Sequence, residues 1–206
     1  MNSSRNFIKT FRGIHIPNNS HPAIRRVKRQ GSAPSIHGNK PWKSSALLID
    51  YLHKHRPQHC QHVIDVGCGW GMGGIWCAKT LKSRVSSIDA DPDIFPFLNV
   101  VAELNHVKTD NITRRFEQLS TKQLAKFDML IAADICFWDE LVKPVGNMIN
   151  RAIKAGVKHI YVADPERPTF LEMAENCLSR HGGELLEWSS RGSIKARGAI
   201  LVIENT

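Results

Sequence analysis

The sequence has no long apolar run, no pairing pattern among its cysteines and no acidic residue in its first 49 positions. No segment reaches the roughly 18 consecutive apolar residues of a membrane-spanning helix, so no membrane insertion is expected. The first eleven residues lack the apolar core of a secretory signal peptide. The five cysteines contain no Cys-x-x-Cys pair and are odd in number, which favours free thiols over disulfides or a zinc site. Together these absences predict a cytoplasmic protein.

Size and composition indicate one folded domain. The chain has 206 residues, of which 42% are hydrophobic and 23% are charged. That is enough apolar material for a single core and too little chain for two full-sized domains. Four histidines between positions 53 and 62 do not predict a metal site, because their spacing places them on different faces of a helix that Pro57 interrupts.

The positive charge is concentrated near the N-terminal end. Residues 1–49 contain nine Lys or Arg, whereas the remainder has 19 basic and 19 acidic residues, so the net charge of +9 belongs to this segment. We therefore divide the chain into a basic N-terminal arm, residues 1–41, and a domain, residues 42–206. The composition of residues 17–41 predicts a loop. Such an arm can bind RNA, anionic lipid or an acidic protein surface, or can serve only as a solubilising lead-in.

Strands and helices alternate along the rest of the chain. Strands are expected at 62–66, 85–89, 111–116, 127–133 and 158–163. One helix is expected to begin near position 44, and a second to follow the glycine-rich segment and end at about position 81. Further helices are expected at 94–105, 141–155 and 170–180. This order predicts a Rossmann-like, doubly wound, mostly parallel seven-stranded sheet. Two final strands, 184–190 and 198–203, are too close in sequence for a parallel crossover. They predict an antiparallel hairpin at the C-terminal edge of the sheet.

A glycine-rich segment follows the first strand of the sheet. It reads Asp-Val-Gly-Cys-Gly-Trp-Gly from Asp65 to Gly71, with glycines at alternate positions. Such a loop permits a tight turn and close approach of a ligand to the backbone. Asp89 ends the next strand, where an acid can accept hydrogen bonds from both ribose hydroxyls. In sheets of this kind, ligands bind beyond the carboxyl ends of the strands.

This loop resembles the cofactor loop of class I S-adenosylmethionine-dependent methyltransferases. Within that superfamily, Trp42-Lys43-Ser44-Ser45, Asp89-Ala90-Asp91-Pro92, Asp134-Ile135-Cys136-Phe137 and Asp164-Pro165-Glu166-Arg167 are similar to motifs of the family 16 protein lysine methyltransferases, which include those acting on the electron transfer flavoprotein β-subunit. Phe137 stands where that family often has Tyr, and Glu166 where it has a small residue.

The resemblance implies S-adenosylmethionine as cofactor, S-adenosylhomocysteine as product and a protein acceptor. The cofactor contacts that it implies come from Trp42, Asp65, Gly67, Cys68, Gly69, Gly71, Asp89, Phe116, Glu117 and Ala133.

The candidate catalytic residues are Asp134 and Phe137. An acceptor lysine has a reference pKa of about 10.4 and must lose a proton before it attacks a methyl group. Asp134 can hold the incoming ammonium by a charge-assisted hydrogen bond, while Phe137 and Trp138 wall an apolar channel. The alternatives are that Asp134 caps the following helix and that both aromatic residues pack in the core. Arg167 is expected to pair with Glu166 or with an acidic acceptor.

Several other functions remain compatible with the sequence. The basic arm favours RNA methylation, although the Asn/Asp-Pro-Pro-aromatic motif of base-amine methylation is missing. The fold alone does not determine the acceptor, so a small-molecule N-methyltransferase is also compatible. A module that binds the cofactor without catalysis is a further alternative, and it predicts binding without turnover.

Overall fold

Short apolar segments form the strands of a seven-stranded sheet in the computed structural model, which describes residues 7–34 and 40–205. In chain order its strands are β3 (His62–Val66), β4 (Arg84–Asp89), β5 (Asp110–Thr113), β6 (Met129–Ala133), β7 (His159–Asp164), β8 (Glu184–Ser190) and β9 (Ala196–Glu204). The order across this sheet is β5-β4-β3-β6-β7-β9-β8. Strands β3 to β7 run parallel, and β9 is antiparallel to both β7 and β8. The predicted doubly wound sheet with its antiparallel hairpin is confirmed.

Helices cover both faces of the sheet. Two separate clusters of buried apolar side chains fill the spaces between helices and sheet. In the described part of the chain, no helix is long and apolar enough to cross a membrane. The helices are α2 (Lys43–Lys54), α3 (Met72–Trp76), which continues as a π-helical turn (Cys77–Leu81), α4 (Phe95–Leu104), α5 (Thr121–Leu124), α6 (Asp139–Lys154) and α7 (Pro168–His181).

The segment before α2 is folded onto the domain where it is described. It forms a hairpin of β1 (Ile8–Phe11) and β2 (Ile14–Pro17), followed by helix α1 (Pro22–Arg29). The loop prediction for residues 17–41 is therefore wrong over α1, and positions 35–39 lie outside the described residues. Ile24 and Val27 are buried on one side of the helix. The sequence signal was weak because only two large apolar residues alternate with four basic ones.

Two further predictions differ from the structure around β5. The strand expected at 111–116 ends at Thr113, where the Arg114 N–H donates the last hydrogen bond of the ladder to the Asp89 carbonyl at 2.8 Å, and a 3₁₀ turn (Phe116–Gln118) follows. Helix α5 was not predicted. Its four residues are too few for a periodic pattern, but Ser120 and Gln123 form a capping box that marks its start.

A buried ion pair attaches the N-terminal hairpin to the domain. Asp50, on α2, is fully buried and accepts hydrogen bonds from Arg12 Nε at 2.7 Å and from Trp188 Nε1, on β8, at 3.2 Å. The Arg12 carbonyl in turn accepts a hydrogen bond from Trp76 Nε1 at 3.1 Å. Lys54 lies 3.4 Å from the same carboxylate. One side chain therefore joins β1–β2, α2 and the edge hairpin.

We expect Asp50→Ala to lower the free energy of unfolding by about 3 kcal/mol, because it leaves the Arg12 guanidinium without its buried counter-ion. Urea denaturation measures this loss. The matched control is Asp110→Ala, which breaks an exposed ion pair with Arg84 and should cost less than about 1 kcal/mol. Equal losses in the two variants would mean that the Asp50 pair does not anchor the hairpin.

Candidate active site

The glycine loop between β3 and α3 requires its glycines. Gly67, Gly69 and Gly71 all have left-handed backbone conformations, with φ of +62°, +53° and +72°. Space is also limiting, since a Cβ at Gly67 would lie 2.5 Å from Ile135 Cγ2 and one at Gly71 would lie 2.7 Å from Leu98 Cγ. A side chain at either position would therefore displace a neighbour as well as strain the backbone.

Two carboxylates hold this loop against the strand ends. Asp65 is buried and accepts a hydrogen bond from the Gly74 N–H at 2.9 Å. Asp89, at the end of β4, accepts one from the Gly69 N–H at 3.1 Å through Oδ2 and one from the Asp91 N–H at 3.1 Å through Oδ1. Burial raises the pKa of Asp65 to about 7 and raises the pKa of Asp89. Both acids thus pay a desolvation cost to shape the loop.

The strand ends and the loop enclose a cavity of about 320 Å³. Nine of the residues selected from the sequence line it: Trp42, Gly67, Gly69, Asp89, Phe116, Glu117, Ala133, Asp134 and Phe137. The other three, Asp65, Cys68 and Gly71, are not among the lining residues. They support the loop from behind, where Cys68 donates its backbone N–H to the Ile88 carbonyl at 3.1 Å.

Glu117 offers this cavity a hydrogen-bond acceptor. Its Oε1 pairs with Arg115 at 2.9 Å, while Oε2 is buried and accepts no hydrogen bond from any residue the structure describes. Burial opposes ionisation of Glu117, but the hydrogen bond from Arg115, a backbone hydrogen bond and the nearby charges of Arg115 and Arg151 together lower the pKa of the carboxyl group. A buried, ionised oxygen without a donor is costly. A ligand that supplies a hydroxyl or an N–H would therefore complete this part of the site.

Asp134 follows β6 and turns away from the sheet. It has a left-handed backbone, φ +61°, and its N–H donates to the Ala163 carbonyl at 3.0 Å. Its Oδ1 pairs with Arg167 at 2.5 Å, and Arg167 also pairs with Asp164 at 2.6 Å. The alternative that Asp134 caps the next helix does not hold, since α6 begins only at Asp139. The expected pairing of Arg167 with Glu166 is likewise replaced by these two aspartates.

The two aromatic residues after Asp134 stand at the cavity and not in the core. Phe137 and Trp138 contact each other edge to face, with ring centroids 4.7 Å apart, and both line the cavity. Trp138 is 55% exposed, the largest exposure of any large hydrophobic residue in the described ranges. The core-packing alternative therefore fails for Trp138. Trp42, across the cavity, has the Lys40 ammonium 4.6 Å from its ring centroid.

Sequence reasoning missed several lining residues. Arg114 and Arg115 follow the end of β5 and line the cavity, whereas Ala90 and Asp91, which also line it, belong to the motif recognised after β4. The strand expected at 111–116 contained both arginines, so the sequence did not place them after a strand end, at the edge of the sheet where ligands bind.

Comparison with known proteins gives a family match over most of the chain. Residues 23–176 match the model of a family described as lysine methyltransferase. The electron transfer flavoprotein β-subunit lysine methyltransferase of Xenopus laevis is 25% identical over 65% of this chain and 52% of its own length. The calmodulin-lysine N-methyltransferase of Arabidopsis thaliana is 27% identical over 55% of this chain and 40% of its own. The chain thus spans about half the length of these relatives, or less.

Solved methyltransferase structures share the fold. Magnesium protoporphyrin IX methyltransferase of Synechocystis PCC 6803 with bound S-adenosylmethionine has a TM-score of 0.55 at 15% identity, over 89% of this chain and 82% of that one. Precorrin-6y C5,15-methyltransferase of Geobacter metallireducens has a TM-score of 0.60 at 13% identity, over 84% and 94%. At these identities the likeness concerns the fold alone.

The raised pKa of Asp65 predicts a pH dependence of stability. The folded protein binds the proton of the Asp65 carboxyl group more tightly than the unfolded chain does. Protonated Asp65 therefore contributes to the free energy of unfolding at low pH, and this contribution is lost as the pH rises from about 4 to about 7. Asp65→Asn removes the titration, so the stability of the variant relative to wild type should increase between pH 5 and pH 8, by at least about 1 kcal/mol.

Chemical denaturation at the two pH values measures this difference. The control is Glu103→Gln, an exposed position on α4, which should give the same difference at both pH values. A difference for Asp65→Asn that does not change with pH would show that the carboxyl group does not titrate in this range.

Proposed function

The chain belongs to the lysine methyltransferase family, and we propose that it transfers a methyl group from S-adenosylmethionine to lysine side chains of a protein acceptor. The observation that carries this proposal is the placement of Asp134 and Phe137 in the same cavity as Asp89 and Glu117. Asp89 and Glu117 fit the cofactor, whereas Asp134 and Phe137 fit an amine. Both relatives named above have protein acceptors in their names.

The cavity suits a ligand that combines hydroxyl groups with positive charge. We assign Asp89 and Glu117 to hydrogen-bond donors of the cofactor, because both are partly desolvated acceptors at neighbouring strand ends. When bound, S-adenosylmethionine supplies an electrophilic methyl group on a sulfonium. Trp42, Gly67, Gly69, Phe116 and Ala133 provide the walls of the cofactor site in this proposal, while Asp65, Cys68 and Gly71 act by holding the loop.

The acceptor end of the cavity is built around Asp134. Its carboxylate can accept a hydrogen bond from the lysine ammonium and orient the amine. Bound S-adenosylmethionine would place its sulfonium near the amine, and this positive charge would disfavour the ammonium form, with the proton lost to water. Phe137 and Trp138 form an apolar wall that excludes other water and contacts the cationic methyl region. Orientation of donor and acceptor is the main contribution that such a site makes.

Helix α1 offers a docking surface for an acidic acceptor. We define the basic face of α1 as its four exposed cationic residues: Arg25, Arg26, Lys28 and Arg29. The helix contains no acid, and Ile24 and Val27 fix it to the domain through their burial. An exposed cluster of cations steers an acidic protein toward the surface that carries it. RNA is the alternative partner for the same charge. We also propose a cytoplasmic location, which fits the five free cysteines.

We expect Asp134→Asn to bind S-adenosylmethionine like wild type and to lose at least about 100-fold in methyl transfer. The measurement uses the purified protein, methyl-tritiated cofactor and an undermethylated whole-cell extract, with protease or ribonuclease treatment of the products. Label should be sensitive to protease, and hydrolysis should return methyl-lysine.

The control is Asp139→Asn, an exposed position at the start of α6, which should transfer methyl groups normally. Label sensitive to ribonuclease would replace the protein acceptor by RNA. Cofactor binding without any label would contradict the proposal and favour a small-molecule acceptor or a non-catalytic module.

Replacing the four residues of the basic face of α1 by Gln should raise KM for the acceptor about tenfold at low ionic strength. In high salt the difference in KM from wild type should shrink, because salt screens the charges that attract the acceptor. Steady-state kinetics with the labelled acceptor measure both values. A matched control replaces four exposed lysines away from the cavity: Lys122, Lys126, Lys154 and Lys158. An effect that salt does not change, or one equal to the control, would contradict docking by charge.

A further inference from the structure

Arg167 joins the ends of two neighbouring strands. The residue precedes α7, and its guanidinium reaches Asp134, after β6, through Nη2 and Asp164, at the end of β7, through Nη1. Its backbone N–H also donates to Asp164 Oδ1 at 2.9 Å. Glu166 makes the turn that directs it, with a left-handed φ of +67°, a conformation that is costly for a residue with a side chain. Two hydrogen bonds thus orient this guanidinium, and a third holds the backbone from which it extends.

The charges around Arg167 do not cancel. Both aspartate side chains are nearly inaccessible, at 7% for Asp134 and 1% for Asp164, whereas the Arg167 side chain is 28% exposed. Burial raises the pKa of Asp164 to about 6, against the lowering effect of Arg167. One guanidinium therefore faces two carboxylates. This cluster of Arg167, Asp134 and Asp164 could therefore pair with a second cation.

The free hydrogen-bonding position lies on Asp134. Arg167 binds only Oδ1, and within residues 7–34 and 40–205 no hydrogen bond reaches Oδ2. Asp134 lines the cavity, but Arg167 and Asp164 do not. The guanidinium thus belongs to a residue outside the cavity lining, and it pairs with a residue that lines the cavity at the end of β6.

We propose that Arg167 is the positioning residue for the acceptor: held by Asp164, it binds one oxygen of Asp134 and leaves the other for the lysine amine. This inference rests on the proposed function, since it assigns the acceptor to Asp134. The fork of a guanidinium suits the task, because it binds two carboxylates at once in a planar geometry that an ammonium cannot reproduce. Asp164 acts through Arg167 and does not meet the acceptor.

The kinetic test compares Arg167→Gln and Arg167→Lys with wild type. Arg167→Gln should lose about 100-fold in kcat, because the amine is no longer oriented, while KM for the acceptor and the affinity for S-adenosylmethionine change by less than about threefold. Arg167→Lys should retain more activity than Arg167→Gln, since an ammonium still pairs with Asp134, yet less than wild type. The matched control is Arg197→Gln, which removes an exposed arginine paired with Glu187 on the edge hairpin, and its kcat should equal that of wild type.

Two kinetic outcomes would overturn the inference. A faster Arg167→Gln would show that the guanidinium occupies the place of the acceptor and restrains the enzyme. A loss of cofactor affinity as large as the loss of kcat would show that Arg167 shapes the cofactor site instead.

A second measurement does not depend on turnover. In cofactor-free protein with ¹⁵N-labelled arginine, the Nη2 protons of Arg167 should give slowly exchanging NMR signals that exchange faster in Asp134→Asn and are kept in Asp139→Asn, whereas the Nη1 protons stay paired with Asp164 in both variants. Nη2 signals unchanged by Asp134→Asn would disprove the pairing. If wild type methylates no protein, the proposed function fails, and this spectrum still decides whether Arg167 holds Asp134.

Discussion

The site depends on the burial of carboxylates at the carboxyl ends of parallel strands. Asp65 and Asp89 accept backbone hydrogen bonds from Gly74 and Gly69 and so hold the glycine loop in a conformation that only glycine adopts easily. Removing water from these groups is unfavourable, as the raised pKa of each shows. The fold accepts that cost at one edge of the sheet, and this edge is where the cavity lies. The other described parts of the molecule supply the stability that makes such a site possible.

Much of this edge could be predicted from the sequence, because the signals were local. A short apolar strand, alternate glycines and an acid at the end of the next strand specify the loop and Asp89 without knowledge of packing. The parallel sheet and its antiparallel hairpin followed from the order and spacing of elements. The pairing partners of Asp134 were not predictable in this way. Arg167 lies 33 residues away, and only the neighbouring positions of β6 and β7 bring the two together.

The N-terminal segment shows a different limit of sequence interpretation. Its charge suggested an arm, yet Phe11, Ile14 and Ile16 are buried on the domain. Periodicity in a four-residue strand is too short to detect, and the buried partner of Arg12 is Asp50, far along the chain. The prediction of a basic N-terminal segment still applies, because the packing that buries these apolar residues leaves the basic face of α1 exposed. The composition revealed the positive charge of the segment, whereas its hairpin and helix depend on tertiary packing.

The strand order has a consequence for synthesis of the chain. Strand β9 lies between β7 and β8, although β8 comes first in the sequence. As the chain leaves the ribosome, β8 therefore emerges with no place to pair, and β7 has an open edge until β9 has been made. A nascent chain halted between these two strands would carry both unpaired edges, the feature through which folding intermediates aggregate.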